Sequence, residues 1–267
     1  MPRIGVAGSA EARASGRTRS LVRAGFDRVE SVFDLAFGAR ANPWRALGAL
    51  AWLLFWVVTV TGIYVYAAFD TSVEGAWASV ERISANAWPL SGLARSLHRY
   101  ASDAFAVVVL AHLAREWAHG RYAHVHRYAW ITGVVLLGLV WVSGVGGFWL
   151  TWDRIAQFSI VATTEWLDAL PLFSTPLASN FDANADLSDR LFSLLMFLHI
   201  GFPLATFAAM GIHVKRLQRP ATHPPRILAA GTLASLVALS LVRPVTSTEP
   251  ADLASVPASL PLDWFWL

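Results

Sequence analysis

The sequence predicts an all-α membrane protein: a four-helix transmembrane bundle followed by a fifth, C-terminal transmembrane helix. Three observations predict it. Of 267 residues, 55% are hydrophobic and 15% are charged, whereas a soluble chain carries roughly 25% charged residues. The apolar residues gather into runs close to the ~20 residues that cross a bilayer as a helix. The loops between the runs alternate in charge. Thirteen Trp and five Tyr suit a membrane-interface belt. Cys is absent, which excludes disulfides, thiolate-bound zinc, iron–sulfur ligation by this chain and covalent c-type heme attachment. The net charge is +3, but the basic residues lie between apolar segments, so they point to a membrane surface and not to nucleic acid.

Residues 1–18 are small, polar and Arg-containing, and lack the apolar centre of a signal peptide. In residues 20–38, Leu21, Phe26, Val29, Phe33 and Phe37 recur at helical spacing with charges between them, an amphipathic helix lying on the membrane. Four spans follow, from about Leu47 to Phe69, Leu97 to Trp117, Trp130 to Leu150 and Leu191 to Val214. The fifth, Ile227 to Val242, is short, and Arg226 and Arg243 at its ends can reach the interfaces. The connection 151–190 is long for a loop and holds apolar pieces broken by Pro171 and Pro176, which predicts short helices across one face.

Residues 1–45 hold eight Arg; Arg115, Arg121 and Arg127 follow the second span, and Lys215, Arg216, Arg219 and Arg226 follow the fourth. The opposite side carries five basic residues and most of the acids. The positive-inside rule therefore puts the N-terminus in the cytoplasm and the chain end outside.

Four of the eight His fall inside spans: His98, His112, His199 and His213. Ionisable groups in hydrocarbon are costly and have a partner or a task. Both pairs are 14 residues apart, which returns each to one helix face about 21 Å further along. The second and fourth spans run parallel, so His98 faces His199 and His112 faces His213. Two imidazoles facing across a bundle form a heme site with both axial positions filled. Such an iron has no open position for a substrate, which leaves electron transfer. Packing histidines, or zinc or copper sites, are the competing readings, and the matched spacing with no neighbouring carboxylate argues against both. His119, His124, His126 and His223 read as solvated surface groups.

Gly48 and Gly62 on the first span, and Gly133 and Gly147 on the third, repeat the 14-residue spacing. A macrocycle needs a flat gap in a helix face, and Gly supplies it; ordinary helix packing at small residues is the plainer reading. Arg95 and Arg99 flank His98, and Arg115 lies one turn past His112. They are placed either to meet heme propionates or to snorkel to the interface.

The stretches LARSLHRYASDAF, ITGVVLLGLVWVSGVGGFWLTWDRI, ALPLFSTPL and FLHIGFPLATFAAMGIH resemble the cytochrome b family of quinol:cytochrome c and plastoquinol:plastocyanin reductases. The similarity runs from about Asn42 to Gly211 and more weakly to the C-terminus. It implies two b-type hemes, the outer held by His98 and His199 and the inner by His112 and His213. The four glycines, Arg95, Arg115 and Pro203 fall at family positions. The resemblance also implies quinol oxidation at the outer face, between WDRIAQF and a Pro-Glu-Trp-Tyr motif that here reads Pro-Leu-Asp263-Trp-Phe, with Asp263 as proton acceptor. The sequence departs from the family at Thr151 in place of Pro, at Leu194 in place of Arg, at Gln218 and Arg226 near the inner quinone position, and at Ala46, where the short chloroplast type has a heme-bearing Cys.

The expected protein is a di-heme cytochrome b in a bacterial inner membrane, multi-pass, carrying electrons across it in a quinol-oxidising respiratory or photosynthetic complex. Expected partners are quinone, membrane lipid, a Rieske iron–sulfur protein or multiheme cytochrome c, and a subunit supplying the family's last helices, in a homodimer within the complex. The competing functions are a heme b anchor for a non-Rieske oxidoreductase and a heme-free scaffold. Three regions are expected: a cytoplasmic one at 1–45, the di-heme bundle at 46–216, and the fifth helix with an outer tail at 217–267.

Overall fold

The computed structural model describes residues 7–85, 89–171, 174–181, 187, 189–215, 217, 220–255 and 259. Among them every regular element is helical, apart from one isolated antiparallel bridge between Asp153 and Pro250. The α-helices are α1 Ala7–Phe37, α2 Leu47–Ala68, α3 Gly75–Ala85, α4 Pro89–Ala118, α5 Arg127–Trp149, α6 Arg154–Asp168, α7 Asp189–Lys215 and α8 Arg226–Val242.

Among the described residues, three helical segments are long and apolar enough to cross a membrane: Leu47–Ala68, His124–Trp149 and Asp189–Lys215. Their most apolar windows are at most one-third buried. The rest of each surface is apolar and must meet lipid or another chain. Helix α4 has the length but carries Arg95, Arg99, Asp103, Arg115 and Glu116, so its composition is more polar. Helix α8 has 17 residues and matches the short fifth span.

Two boundaries differ from the sequence reading. Helix α1 begins at Ala7, because the Ala- and Arg-containing segment before Leu21 favours helix while lacking any apolar periodicity. Helix α4 begins at Pro89 instead of Leu97, with proline at the first position, where its missing N–H costs nothing. Helix α3 is an addition; it buries Ala76, Ser79, Val80 and Ile83, a short one-face stripe.

The chain divides into two compact units, and α2, α4, α5, α7 and α8 each contribute one segment to both. The first unit comprises the chain up to Phe55, Ala104–Leu137 and Ala209–Ala234. Here Gly38, at φ +77°, ends α1 in the left-handed conformation that glycine tolerates, and its N–H donates to the Asp34 carbonyl at 2.9 Å. The chain turns at Asn42, which is 1% exposed; its amide donates to the Glu30 carbonyl and the Asp34 carboxylate, each at 2.8 Å. Its oxygen accepts from the Trp44 N–H at 3.0 Å. Phe26 and Phe33 of α1 pack edge-on against Trp44, at 5.9 and 6.2 Å. Helix α4 ends with Gly120 at φ +74° and a bond from the Arg121 N–H to the Glu116 carbonyl at 2.8 Å.

The second unit comprises Trp56–Asp103, Gly138–Ala208 and the chain from Ser235 onward. Its core gathers Ala76, Leu150, Trp152, Ile160, Phe181, Phe192, Leu195 and Met196. Trp152 holds the rare φ of +47° for a bulky residue and is fixed edge-on against Phe192 at 5.2 Å. The strain turns the chain from α5 into α6, whose N-cap is the buried Asp153, accepting from the Ala156 N–H at 2.9 Å. After α8, residues 243–255 form a strap over this unit. Tyr100 donates to the Arg243 carbonyl at 2.6 Å, Trp77 to the Thr248 carbonyl at 2.9 Å, and the Thr248 N–H to Asp153 at 3.0 Å. The Ala251 N–H reaches the Trp152 carbonyl at 3.1 Å, and Gln157 pairs with the Asp252 backbone.

Candidate functional site

The division into units separates the sequence-derived residues into two sets. His98, His199, Gly62 and Gly147 belong to the second unit, and His112, His213, Gly48 and Gly133 to the first. In the second unit the His98 and His199 rings face each other, with centroids 6.2 Å apart and planes at 80°. Two ring nitrogens about 2 Å from a shared metal, plus the two half-rings behind them, give a centroid separation of roughly 6 Å, so these rings fit one ion between them.

Each ring lies over a glycine. A Cβ on Gly62 would meet His98 Cε1 at 2.9 Å and Nδ1 at 3.3 Å. A Cβ on Gly147 would collide with His199 Cε1 and lie 2.9 Å from its Nδ1. In the first unit the fit is looser: a Cβ on Gly48 would stand 3.5 Å from His112 Cε1, and one on Gly133 3.6 Å from His213 Cε1. The absent side chains leave room for the imidazole rings against α2 and α5.

This close packing also brings Nδ1 of two rings to the helix backbone. His98 Nδ1 lies 3.0 Å from the Val58 carbonyl, and His199 Nδ1 lies 2.9 Å from the Ser143 carbonyl. A carbonyl only accepts, so Nδ1 carries the proton and Nε2 keeps its lone pair for a metal. The donor set thus fits heme iron with two axial imidazoles. Thr206, midway between His199 and His213 on α7, is 2% exposed, and its hydroxyl has no hydrogen-bond partner from the protein. Such an orphan on the ligand-bearing helix suits an interior built around an additional group.

The three arginines are each engaged by protein carboxylates. Arg95, 8% exposed, meets Glu81 at 3.1 Å and also donates to Ser84 and, at 2.5 Å, to Ser247. Arg99 pairs with Asp103 at 3.2 Å and stacks over Phe148. Arg115 meets Glu30 at 2.6 Å and Glu116 at 3.4 Å. Asp263 lies outside the described residues, as does Gln218. Among the described residues no group of three or more His, Cys, Asp and Glu is arranged as a metal site, so the described acids offer no carboxylate-rich centre.

One histidine departs from the sequence reading. His119 is not solvated: its side chain is 13% exposed, its Nε2 sits 3.3 Å from Asp27, and its Nδ1 is 2.8 Å from the Arg115 carbonyl. His124, His126 and His223 are exposed. Two further residues touch the candidate ligands and escape the sequence reading. The Thr61 hydroxyl lies 3.2 Å from His98 Nδ1, and the Thr132 hydroxyl 2.8 Å from His213 Nδ1. Their one signal is position: each directly precedes one of the cradle glycines.

Comparison with known proteins agrees with this architecture. Residues 32–220 match the family described as cytochrome b/b6/petB. A solved structure described as a hyperthermophilic respiratory Complex III superposes with a TM-score of 0.67 at 19% sequence identity, covering 83% of this chain and 67% of that one. At that identity the likeness is one of fold.

Proposed function

The chain belongs to the cytochrome b family, and on that premise we propose that it is a di-heme subunit of a quinol-oxidising complex. The observation that carries the reading is the set of four imidazoles, each lying against a cradle glycine, two in each unit. His98 and His199 would hold the outer heme b, and His112 and His213 the inner one. Such hemes would supply single-electron exchange, relayed from one site to the other across the membrane.

The chain's own residues orient and neutralise. Backbone carbonyls fix the ring tautomers. Arg95, Arg99 and Arg115 share their charge between propionates and Glu81, Asp103 and Glu30. Quinol binds near the outer face beside WDRIAQF, and the Asp263 carboxylate accepts one of its protons. The Trp152 turn and the strap over Asp153 keep that face rigid. The electron-accepting partner in this reading is a Rieske iron–sulfur protein or a multiheme cytochrome c, in a homodimer within the complex; the likeness to a structure described as a respiratory Complex III supports assembly with other subunits. We place the protein in a bacterial inner membrane, N-terminus cytoplasmic, with residues 1–45 on the inner surface, 46–216 as the di-heme bundle and 217–267 as the fifth helix and outer tail.

The test is a redox-titrated visible spectrum of the purified protein. Two resolved b-type α-bands are expected. His98→Ala should remove one band and His213→Ala the other. A preparation lacking a Soret band would make the chain a heme-free scaffold. Intact bands without quinol-linked reduction would favour an anchor for a different oxidoreductase.

A further inference from the structure

The imidazole-supporting carbonyls follow one rule. Val58 and Ser143 each stand four residues before the glycine under the ring, namely Gly62 and Gly147. That carbonyl is the one to which the glycine N–H bonds within the helix, so a ring packed beside the glycine comes within its reach. This support comes from backbone and is common to His98 and His199.

A second support is not common to them. The residues before the four cradle glycines are Leu47, Thr61, Thr132 and Gly146. Only the two threonines can offer a side-chain oxygen, and each belongs to a different unit. The Thr61 hydroxyl lies 2.7 Å from the Val57 carbonyl and 3.2 Å from that of Val58. The Thr132 hydroxyl lies 3.0 Å from the Tyr128 carbonyl and 3.1 Å from that of Ala129. A hydroxyl has one proton, and here it goes to the helix. Its oxygen must therefore act as acceptor toward the nearby Nδ1–H of His98 or His213.

We propose that Thr61 and Thr132 are positioning residues that act through His98 and His213, so that one imidazole in each heme site is made more basic than its partner. The inference rests on the proposed di-heme function. The Nδ1–H of a metal-bound imidazole is polarised by any acceptor it meets, and a second acceptor increases the electron density at Nε2. A more basic ligand stabilises the oxidised iron. Each site is then built asymmetrically, with one ring given a threonine acceptor and an opposite ring without it. The hydroxyls also restrict ring rotation, because a ring turned away from the glycine loses this hydrogen bond.

The test uses full-length protein purified with its hemes. Thr61→Val and Thr132→Val remove the acceptor while keeping the side-chain shape; Thr61→Ser and Thr132→Ser keep the oxygen. In the Thr61→Val protein the heme held by His98 should titrate at a higher potential than in wild type, with the other heme unmoved. Thr132→Val should give the reverse pattern, and both Ser variants should return to wild-type potentials. Retention of the affected heme against competing apo-globin should weaken by tenfold or more, in line with the loss of a ligand's supporting hydrogen bond. If a Val variant does not accumulate, the Ala variant at the same position reads the same comparison. Two hemes with unchanged potentials in both Val variants would overturn this inference alone. A shift in both hemes from either substitution would also overturn it, because it would mean a general loosening of the bundle. Wild-type protein without heme would instead overturn the di-heme reading on which it stands.

Discussion

Glu30 of α1 and Arg115 of α4 lie 85 residues apart in sequence and meet at 2.6 Å, with side chains only 7% and 13% exposed. Arg45 approaches the same carboxylate at 3.5 Å. The amphipathic helix is therefore anchored by buried charge as well as by Phe26 and Phe33. Removing Glu30 leaves Arg115 with only the more distant Glu116, at a cost below the roughly 3–5 kcal/mol of a fully uncompensated buried charge. Glu30→Gln should lower the thermal unfolding midpoint of the solubilised protein and expose α1 to protease. The double variant Glu30→Gln/Arg115→Gln should cost less than the sum of the single changes. Strict additivity would show that the two groups do not interact.

The four cradle glycines should not tolerate alanine equally. At Gly147 and Gly62 a Cβ falls within the packing distance of a rigid imidazole, whereas at Gly48 and Gly133 it reaches ordinary contact. Gly147→Ala should lower the heme content per chain most, then Gly62→Ala, with overpacking costs of about 1–3 kcal/mol. Gly48→Ala and Gly133→Ala should lower it less, because a Cβ there stands in ordinary contact with the ring. Pyridine hemochrome content and melting curves check the order, and heme loss from Gly133→Ala equal to that from Gly147→Ala would contradict it.

The candidate ligand positions stand out in the sequence because a helix converts a 14-residue repeat into a shared face, and a titratable ring in an apolar span is costly unless it holds or bonds something. Thr61 and Thr132 are not legible in that way. Threonine in an apolar helix is ordinary, and only the glycine after it, once under a ring, gives it meaning. The partners of Arg95 and Arg115 are hidden for a different reason. Glu81 sits on α3 and Glu30 on α1, and nothing in local periodicity says which loop returns an acid to which arginine. His119 reads as solvated in sequence because its partner, Asp27, belongs to a helix far earlier in the chain. The strap is likewise illegible, since residues 243–255 have no repeating pattern and are held through backbone groups.

Acid should test the hinge between α1 and α2. The Arg45 guanidinium and the Asn42 amide bond to Asp34 and hold its carboxyl at about 2, below the ordinary 3.8. A carboxyl lowered in the folded state stabilises fully above its unfolded pKa and loses that contribution as pH falls through the folded value. The α1 anchorage should thus be intact above pH 4 and weaken toward pH 2. The carboxyl resonance of labelled Asp34, assigned by its absence in Asp34→Asn, should titrate near 2, and Arg45→Met should raise it toward the ordinary value. A wild-type midpoint near 4 would rule out the bonded geometry.

Asp153 joins two jobs in one carboxylate: Oδ1 caps α6 through Ala156, and Oδ2 accepts from the Thr248 N–H of the strap. It is 5% exposed, so neither donor has easy access to water after its removal. Losing an N-cap costs about 1 kcal/mol, and a buried amide left without an acceptor costs about 1–3 kcal/mol more. Asp153→Ala should therefore destabilise the second unit by both amounts and open residues 243–255 to proteolysis. Asp153→Asn keeps an oxygen for the cap but loses the second acceptor, so its stability should fall between wild type and Asp153→Ala. The same order is expected for quinol oxidation, because α6 and the strap hold the WDRIAQF stretch beside the proposed site. A wild-type melting curve and a protected strap in Asp153→Ala would show that the strap is held by Trp77, Tyr100 and Gln157 without it.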